Sequence, residues 1–278
     1  MNIIELLKHR GLKLKARIKM MRHISKTFDI YDMYVRNHFE IYQSFQRRAV
    51  IECDYLVSFL GIRHGCARFV GVYKVDGRRP AKTIKLPSDY PYQEFTKTAE
   101  YWYDLTKQTG FEDLADRVVI DWGSSERSWH QWLSEKEVVE ILPSGYVRDF
   151  PGLIEINIGF AELKQLINNP TANREWHQML QSVAGVYLIL DTATGKQYIG
   201  SAYGKEGILG RWKSYAQTGH GNNSLLRSLV KADPNYPLKF RFSILYTLTK
   251  STTKEEALRW EVQFKNKLGT RAFGLNTN

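Results

Sequence analysis

Two short apolar runs, Gly185-Val-Tyr-Leu-Ile-Leu190 and Lys196-Gln-Tyr-Ile-Gly-Ser-Ala202, flank the turn-forming segment Asp191-Thr-Ala-Thr-Gly195. Apolar runs of strand length around such a turn predict a β-hairpin. An antiparallel ribbon there restricts what the last third of the chain can build, because later elements must pack on it. The alternation puts Tyr187 and Tyr198 at corresponding places near the ends of the paired strands. Two phenols from one hairpin are unusual in a simple core, since a buried hydroxyl needs a partner.

The residues that follow supply candidate partners. Gly207 to Tyr215 predicts the start of a helix, with Arg211 and Tyr215 on one face at i and i+4. His220 falls in the loop-like Thr218-Gly-His-Gly-Asn222, and Lys239 to Tyr246 alternates as a strand. Thr252 with Glu255 has capping-box spacing and opens a helix that runs to about Leu268. Ala257, Glu261, Phe264 and Leu268 form one stripe of that helix, which places the Glu261 carboxylate on an apolar, inward face. Such a group must be neutralised by protonation, a cation partner or a metal. The quoted sequence closes with Phe273-Gly-Leu-Asn276-Thr-Asn278.

In this order and spacing, about Val183 to Asn278 resembles the GIY-YIG nuclease domain, an α/β fold with a small antiparallel sheet flanked by helices. The resemblance implies catalytic roles for Tyr187, Tyr198, Arg211, Tyr215, His220, Glu261 and Asn276, with Glu261 as the metal ligand for Mg²⁺ or Mn²⁺. It implies that Tyr187 works near the attacking water as base or proton relay and that Tyr198 orders the water or the phosphate. Arg211, with Lys213 nearby, would brace the scissile phosphate of a DNA strand by charge-assisted hydrogen bonds. His220 either binds phosphate or sits at the surface. A phenol with the ordinary pKa near 10 is ionised roughly one time in a thousand at pH 7, a deficit of about 4 kcal/mol. A tyrosine base therefore needs Arg211, Lys213, the metal or a second base to offset that deficit.

With 278 residues the chain is long enough for two domains, and its net charge of +11 suits a polyanionic partner. Cys53 and Cys66 are the two cysteines, and neither lies in a CxxC pair, which argues against a zinc site or disulfide framework and for a reduced, cytoplasmic protein. No apolar run approaches the roughly 20 residues that span a bilayer, so no membrane partner is expected.

The expected fold class is α+β, with N-terminal helices, a strand-rich mixed barrel and the C-terminal α/β domain. Residues 1–48 carry Lys8, Arg10, Lys13, Lys15, Arg17, Lys19, Arg22 and Lys26 among Leu6, Leu12, Leu14, Ile18 and Met21, a basic amphipathic helical pattern. A DNA-backbone contact (Lys13, Lys15 and Arg17 foremost), a membrane-surface helix or an exposed packing helix would each produce it. Residues 49–158 predict a DNA-reading domain. Its strands are Tyr55–Leu60 and Ala67–Val75, joined as a hairpin across Gly61-Ile-Arg-His-Gly65, then Arg117–Trp122 and Glu137–Pro143, with a helical stretch near Tyr92–Leu105. Residues 159–182 predict a helical linker broken at Pro170, and residues 183–278 the nuclease domain.

The cadence of Phe59 to Val75, followed by Val118 to Gly123 and Ser128 to Leu133, is similar to PUA-like readers of modified bases, EVE and SRA types included. That resemblance implies a possible base pocket lined by Trp122 and Trp129, with Trp132, Phe59 or Phe69, where Asp121 reads the polar edge of an extruded base. The bland alternative puts these aromatics in the barrel core. The whole therefore predicts a metal-dependent DNA endonuclease for restriction of foreign DNA, base-modified DNA included. A repair or recombination nuclease and a non-catalytic nucleic-acid-binding scaffold are the alternatives. Cutting both strands with one site per chain requires a homodimer or two sequential events.

Overall fold

The computed structural model describes residues 1–25, 27–62, 65–87, 90, 92–123 and 128–276, except for the side chains of Glu94 and Phe95. Lys26, Arg63, His64, Thr277 and Asn278, named above, lie outside the described residues. The chain divides into two compact units, Met1–Pro143 and Ser144–Asn278.

The first unit runs α1 (Ile3–His9), β1 (Ile18–His23), α2 (Ile30–Val35), α3 (Phe39–Ser44), β2 (Phe45–Gln46), β3 (Tyr55–Gly61) and β4 (Cys66–Pro80). It continues with α4 (Gln93–Thr96), β5 (Tyr101–Lys107), β6 (Val118–Asp121), β7 (His130–Trp132) and β8 (Val138–Ile141). The strands make one mixed sheet in the order β2-β5-β4-β3-β1-β7, with β6 pairing β4 and β8. β1 and β3 are parallel, and the remaining pairings are antiparallel. β3 and the first half of β4 are buried along nearly their whole length because both faces are covered. One face carries Met20, Val57, Phe59 and Phe69 with Ile3 and Leu7 of α1. The other carries Leu60 and Val70 with Met33 and Phe39 of α2 and α3.

Two expectations fail here. Residues 1–48 hold the expected helices in α1, α2 and α3 but are not helical throughout, since α1 stops before Gly11 (φ +90°) and Ile18–His23 is a strand inside the sheet. Lys13, Lys15 and Arg17 are exposed on the connection between them. The basic segment is therefore part of the same unit as residues 55–61. The stretch from Tyr92 holds only one helical turn, and Tyr101–Lys107 is a strand, in keeping with its aromatic and β-branched content.

The second unit runs β9 (Asn157–Gly159), α5 (Phe160–Asn168), α6 (Arg174–Ser182), β10 (Ala184–Asp191), β11 (Gln197–Ala202), α7 (Gly207–Thr218) and α8 (Ser224–Ala232). It ends with β12 (Phe240–Leu248), α9 (Lys254–Leu268) and α10 (Thr270–Phe273). The antiparallel sheet has the order β11-β10-β12-β9, so β11 is an edge strand. Leu163, Leu166, Trp176 and Leu180 of α5 and α6 join Ile208, Leu209 and Trp212 of α7 in the core under Ile189 and Phe242. Residues 159–182 are thus part of this core, together with β9, and not a linker. Helix α9 opens one residue later than its expected box, with Thr253 Oγ1 accepting from the Glu256 N–H at 3.2 Å. Its inward face holds Ala257 and Lys265, whereas Leu268 is 45 % exposed and leaves the expected stripe.

Candidate active site

The hairpin forms as its apolar runs require, but its tyrosines are diagonal and not opposite. Tyr187 pairs with Gly200 and Tyr198 with Ile189, so both rings share a face with centroids 6.4 Å apart. Gly200 is what makes room. A Cβ there would stand 2.3 Å from Tyr187 Oη, so any side chain would displace the phenol. On the other side of β10, the pairing with β12 slips between Val186 and Tyr187. A bulge at that point re-aims the side chain that follows it.

Helix α7 delivers the rest of a compact cluster on this face. Tyr215 Oη lies 3.1 Å from Tyr187 Oη, and Arg211 Nε donates to Tyr187 Oη at 3.4 Å. The guanidinium carbon also sits 5.6 Å from the Tyr215 ring centre, in cation–π range. Gly221 (φ +49°) seats the Tyr215 ring, because a Cβ there would come within 2.5 Å of it. Tyr187 and Tyr215 are fully buried, while Tyr198 and Arg211 are half-buried and give the cluster its outlet to solvent.

Burial raises the Tyr187 phenol above its ordinary value, with Tyr198 adding to the rise and Arg211 opposing it without reversing it. Tyr215 is raised for the same first reason. The expected offset by positive charge is therefore not in place, and both phenols are neutral at pH 7. Lys213 does not supply it either, since its ammonium pairs with Glu206 at 2.8 Å. Tyr187 stands as a hydrogen-bonding group that passes a proton, not as a resident phenolate.

Glu261 reaches the edge strand from its other side. Along β11, Tyr198, Gly200 and Ala202 face the tyrosine cluster and Ile199 and Ser201 face away. Ser201 Oγ donates to Glu261 Oε2 at 2.5 Å, and Lys265 Nζ lies 2.7 Å from Oε1. Of the three ways to neutralise this carboxylate, the cation partner is the one present. Lys265 is 4 % exposed, and its i,i+4 spacing from Glu261 was readable in the sequence, as was Ser201 beside the hairpin glycine. Among the described residues no cluster of three His, Cys, Asp or Glu side chains is placed to hold a metal. A single carboxylate fits a magnesium-like ion, which binds one or two carboxylates and takes its remaining oxygens from water and phosphate. Such an ion would compete with Lys265 for Glu261.

His220 and Asn276 lie apart from the cluster. His220 Nδ1 accepts from the Asn222 N–H at 3.0 Å and so shapes its own turn. Desolvation, with Arg227 nearby, lowers its pKa and keeps it neutral. Asn276 is buried and serves the backbone of Ile199, accepting from its N–H at 2.9 Å and donating to its carbonyl at 2.8 Å. It acts as a one-residue strand partner for the edge of β11, next to Tyr198. Replacing Asn276 with Ala leaves two buried backbone groups unmet and should cost about 2–4 kcal/mol, read as a lower unfolding midpoint with the tyrosine hydroxyl chemistry untouched. Replacing Arg211 with Ala should slow cleavage by about 100-fold and weaken DNA binding by no more than about threefold, because its donor matters most where charge develops. Equal losses in rate and binding would make it a general phosphate clamp.

The aromatic pocket expected in the first unit is not assembled. Trp122 packs in the core with its centroid 5.7 Å from the Phe59 ring, and its indole N–H goes to the Ser128 carbonyl at 2.7 Å. Phe59 and Phe69 are core residues beside it, and Trp132 is exposed with the Lys19 ammonium over its ring. Asp121 is exposed and accepts from the Gly123 N–H at 2.7 Å. Alternation along β6 puts Val118 and Ile120 inward with Trp122 and turns Asp121 away from them. Trp129 and Trp132 border two separate cavities. Among the described residues Cys53 and Cys66 form no disulfide, and no helix is long and apolar enough to cross a membrane.

Comparison with known proteins bears on the second unit. Among solved structures, the catalytic domain of the intron endonuclease I-TevI, in a mutant form, is similar at 23 % identity and a TM-score of 0.28. The match covers 34 % of this chain and 94 % of that one. No curated protein matches the chain. Residues 183–276 match the family model of the GIY-YIG catalytic domain, the span that holds every member of the cluster described above. This segment is a GIY-YIG catalytic domain, and the chain that carries it is a nuclease.

Proposed function

We propose that the chain is a divalent-metal-dependent DNA endonuclease that restricts foreign DNA, base-modified DNA included. The observation that carries the reading is a half-buried guanidinium, Arg211, donating to the buried hairpin phenol Tyr187, which is itself hydrogen-bonded to Tyr215, in a GIY-YIG domain. Arg211 takes a non-bridging oxygen of the scissile phosphate, and Tyr198, open to solvent, orders phosphate or water beside it. Tyr187 holds the attacking water by a hydrogen bond while sharing its proton with Tyr215. Glu261 would hold the ion, which supplies Lewis-acid stabilisation of the developing charge. The net charge of +11 and the exposed Lys13, Lys15 and Arg17 favour phosphate contact. Two cysteines outside any disulfide suit a cytoplasmic setting, and double-strand cutting proceeds through a homodimer or two successive nicks.

The test is cleavage of matched duplexes with plain, methylated, hydroxymethylated or glucosylated cytosine, with Mg²⁺ or with chelator. One modified form should be cut at least about tenfold faster than plain DNA, the discrimination one base contact provides. Equal rates on all four would remove the modified-base setting and keep the endonuclease. Cleavage that persists in chelator would remove the metal.

A further inference from the structure

The first unit contains a cavity of about 400 Å³ between the end of β1, α3 with β2, and the segment leading into β7. Its size is in the range of pockets that take small organic ligands, roughly 300–1,000 Å³. Phe45, Tyr42 and Trp129 provide ring surfaces, His23 lies on the wall, and Arg47 and Arg48 stand at the exposed side. His23 is 4 % exposed, and its Nε2 has no hydrogen-bond partner among the described residues. Its ring is held edge-on by Phe39 and Tyr42 at centroid distances of 4.8 and 5.6 Å. Desolvation drives its pKa down to about 3, so the imidazole is neutral, with one donor and one acceptor nitrogen. Among the described residues no carboxylate lines the cavity, whereas three arginines do, Arg22, Arg47 and Arg48.

We propose that this cavity receives one unstacked nucleobase of a DNA strand whose neighbouring phosphates lie on Arg47 and Arg48. Flat rings on the walls with cations at the mouth match a heterocycle that carries an anion on its tether. A purely apolar occupant, such as a hydrophobic side chain, would leave the arginine rim without purpose. An acidic peptide would bring no ring for the walls. Arg47 donates its Nε to Thr98 Oγ1 at 3.1 Å, and neither Arg47 nor Arg48 pairs with a carboxylate among the described residues, so both charges are open to phosphate. The site differs from the pocket expected at Trp122 and Asp121, with Trp129 the single shared residue. The inference rests on the reading of DNA as substrate and does not depend on cleavage.

The experiment uses the full chain in excess chelator, so that metal-dependent cleavage is off, with two three-nucleotide single strands. Both carry the same phosphates, and one has a thymine at its centre where the other has an abasic site. Affinity by fluorescence anisotropy should favour the intact strand by about tenfold, the size of one base stacked on aromatic side chains. Trp129→Ala should abolish that preference, and Arg48→Glu, at an exposed position that carries no fold, should weaken both strands alike. Equal affinity for the two strands, or a preference that survives Trp129→Ala, would overturn the proposal. No cleavage by the same chain with Mg²⁺, with the preference intact, would instead count against the nuclease reading alone.

Discussion

Replacing Glu261 with Gln should reduce Mg²⁺-dependent cleavage by at least about 100-fold, as expected when a metal-stabilised charge is lost. DNA affinity should stay within about threefold of wild type, because the carboxylate holds the ion and not the strand. The substitution keeps the size of the side chain, yet it removes the charge that the buried Lys265 ammonium meets at 2.7 Å. Removing one partner of a buried pair costs about 3–5 kcal/mol, so lost activity could come from unfolding. Adding Lys265→Met to Glu261→Gln separates the two causes. The double variant should recover the unfolding midpoint and remain inactive. Recovery of both would show that Glu261 matters only as the counterion of Lys265, and undiminished cleavage by Glu261→Gln would refute the metal assignment.

Replacing Tyr187 with Phe should lower the cleavage rate by about 10²–10⁴-fold, the range for a positioned proton-transfer group. The ring remains to fill the space opposite Gly200, so the fold survives. The Tyr215 hydroxyl and Arg211 Nε lose a partner, which should cost about 1–3 kcal/mol. The pH dependence has a definite sign. Burial holds the phenol above the ordinary tyrosine value, so its deprotonated form grows about tenfold per pH unit and does not saturate below pH 10. If the proton leaves through Tyr187, the single-turnover rate rises with a slope near one from pH 6 to 9. Tyr187→Phe flattens that rise. A plateau near pH 7 in wild type would assign the proton to another group.

What the sequence made legible were features set by local spacing. The hairpin follows from two apolar runs about a turn, and the facing of Arg211 and Tyr215 follows from i,i+4 geometry. Glu261 betrayed itself as an acid on an apolar stripe, although its partner Lys265, one turn on, was passed over in favour of Leu268. The first unit was harder because β1 is buried on both faces. Apolar residues at Ile18, Met20 and Met21 then mimic helical spacing, and the visible stop at Gly11 carried the truer signal. Helix α8, with Leu226 buried, was not foreseen in the span between His220 and Lys239. Amphipathic patterns in α5 and α6 revealed helices without revealing which core they complete. Parity along Val118–Trp122 already separated Trp122 from Asp121, which two-sided aromatic composition obscured. No spacing rule joins His23, Tyr42 and Trp129, because they meet only through the sheet.

The amide of Asn276 also has a bearing on how copies of this chain behave toward one another. An edge strand with open N–H and C=O groups is a template onto which another strand can be added. At Ile199 both groups are already taken by the Asn276 side chain, and the Gln197 carbonyl two residues before is taken by the Leu275 N–H at 2.7 Å. Pairing between neighbouring copies along β11 is thereby blocked from Gln197 to Ile199. The same segment that steadies the strand beside Tyr198 thus occupies the backbone groups through which a further strand would add.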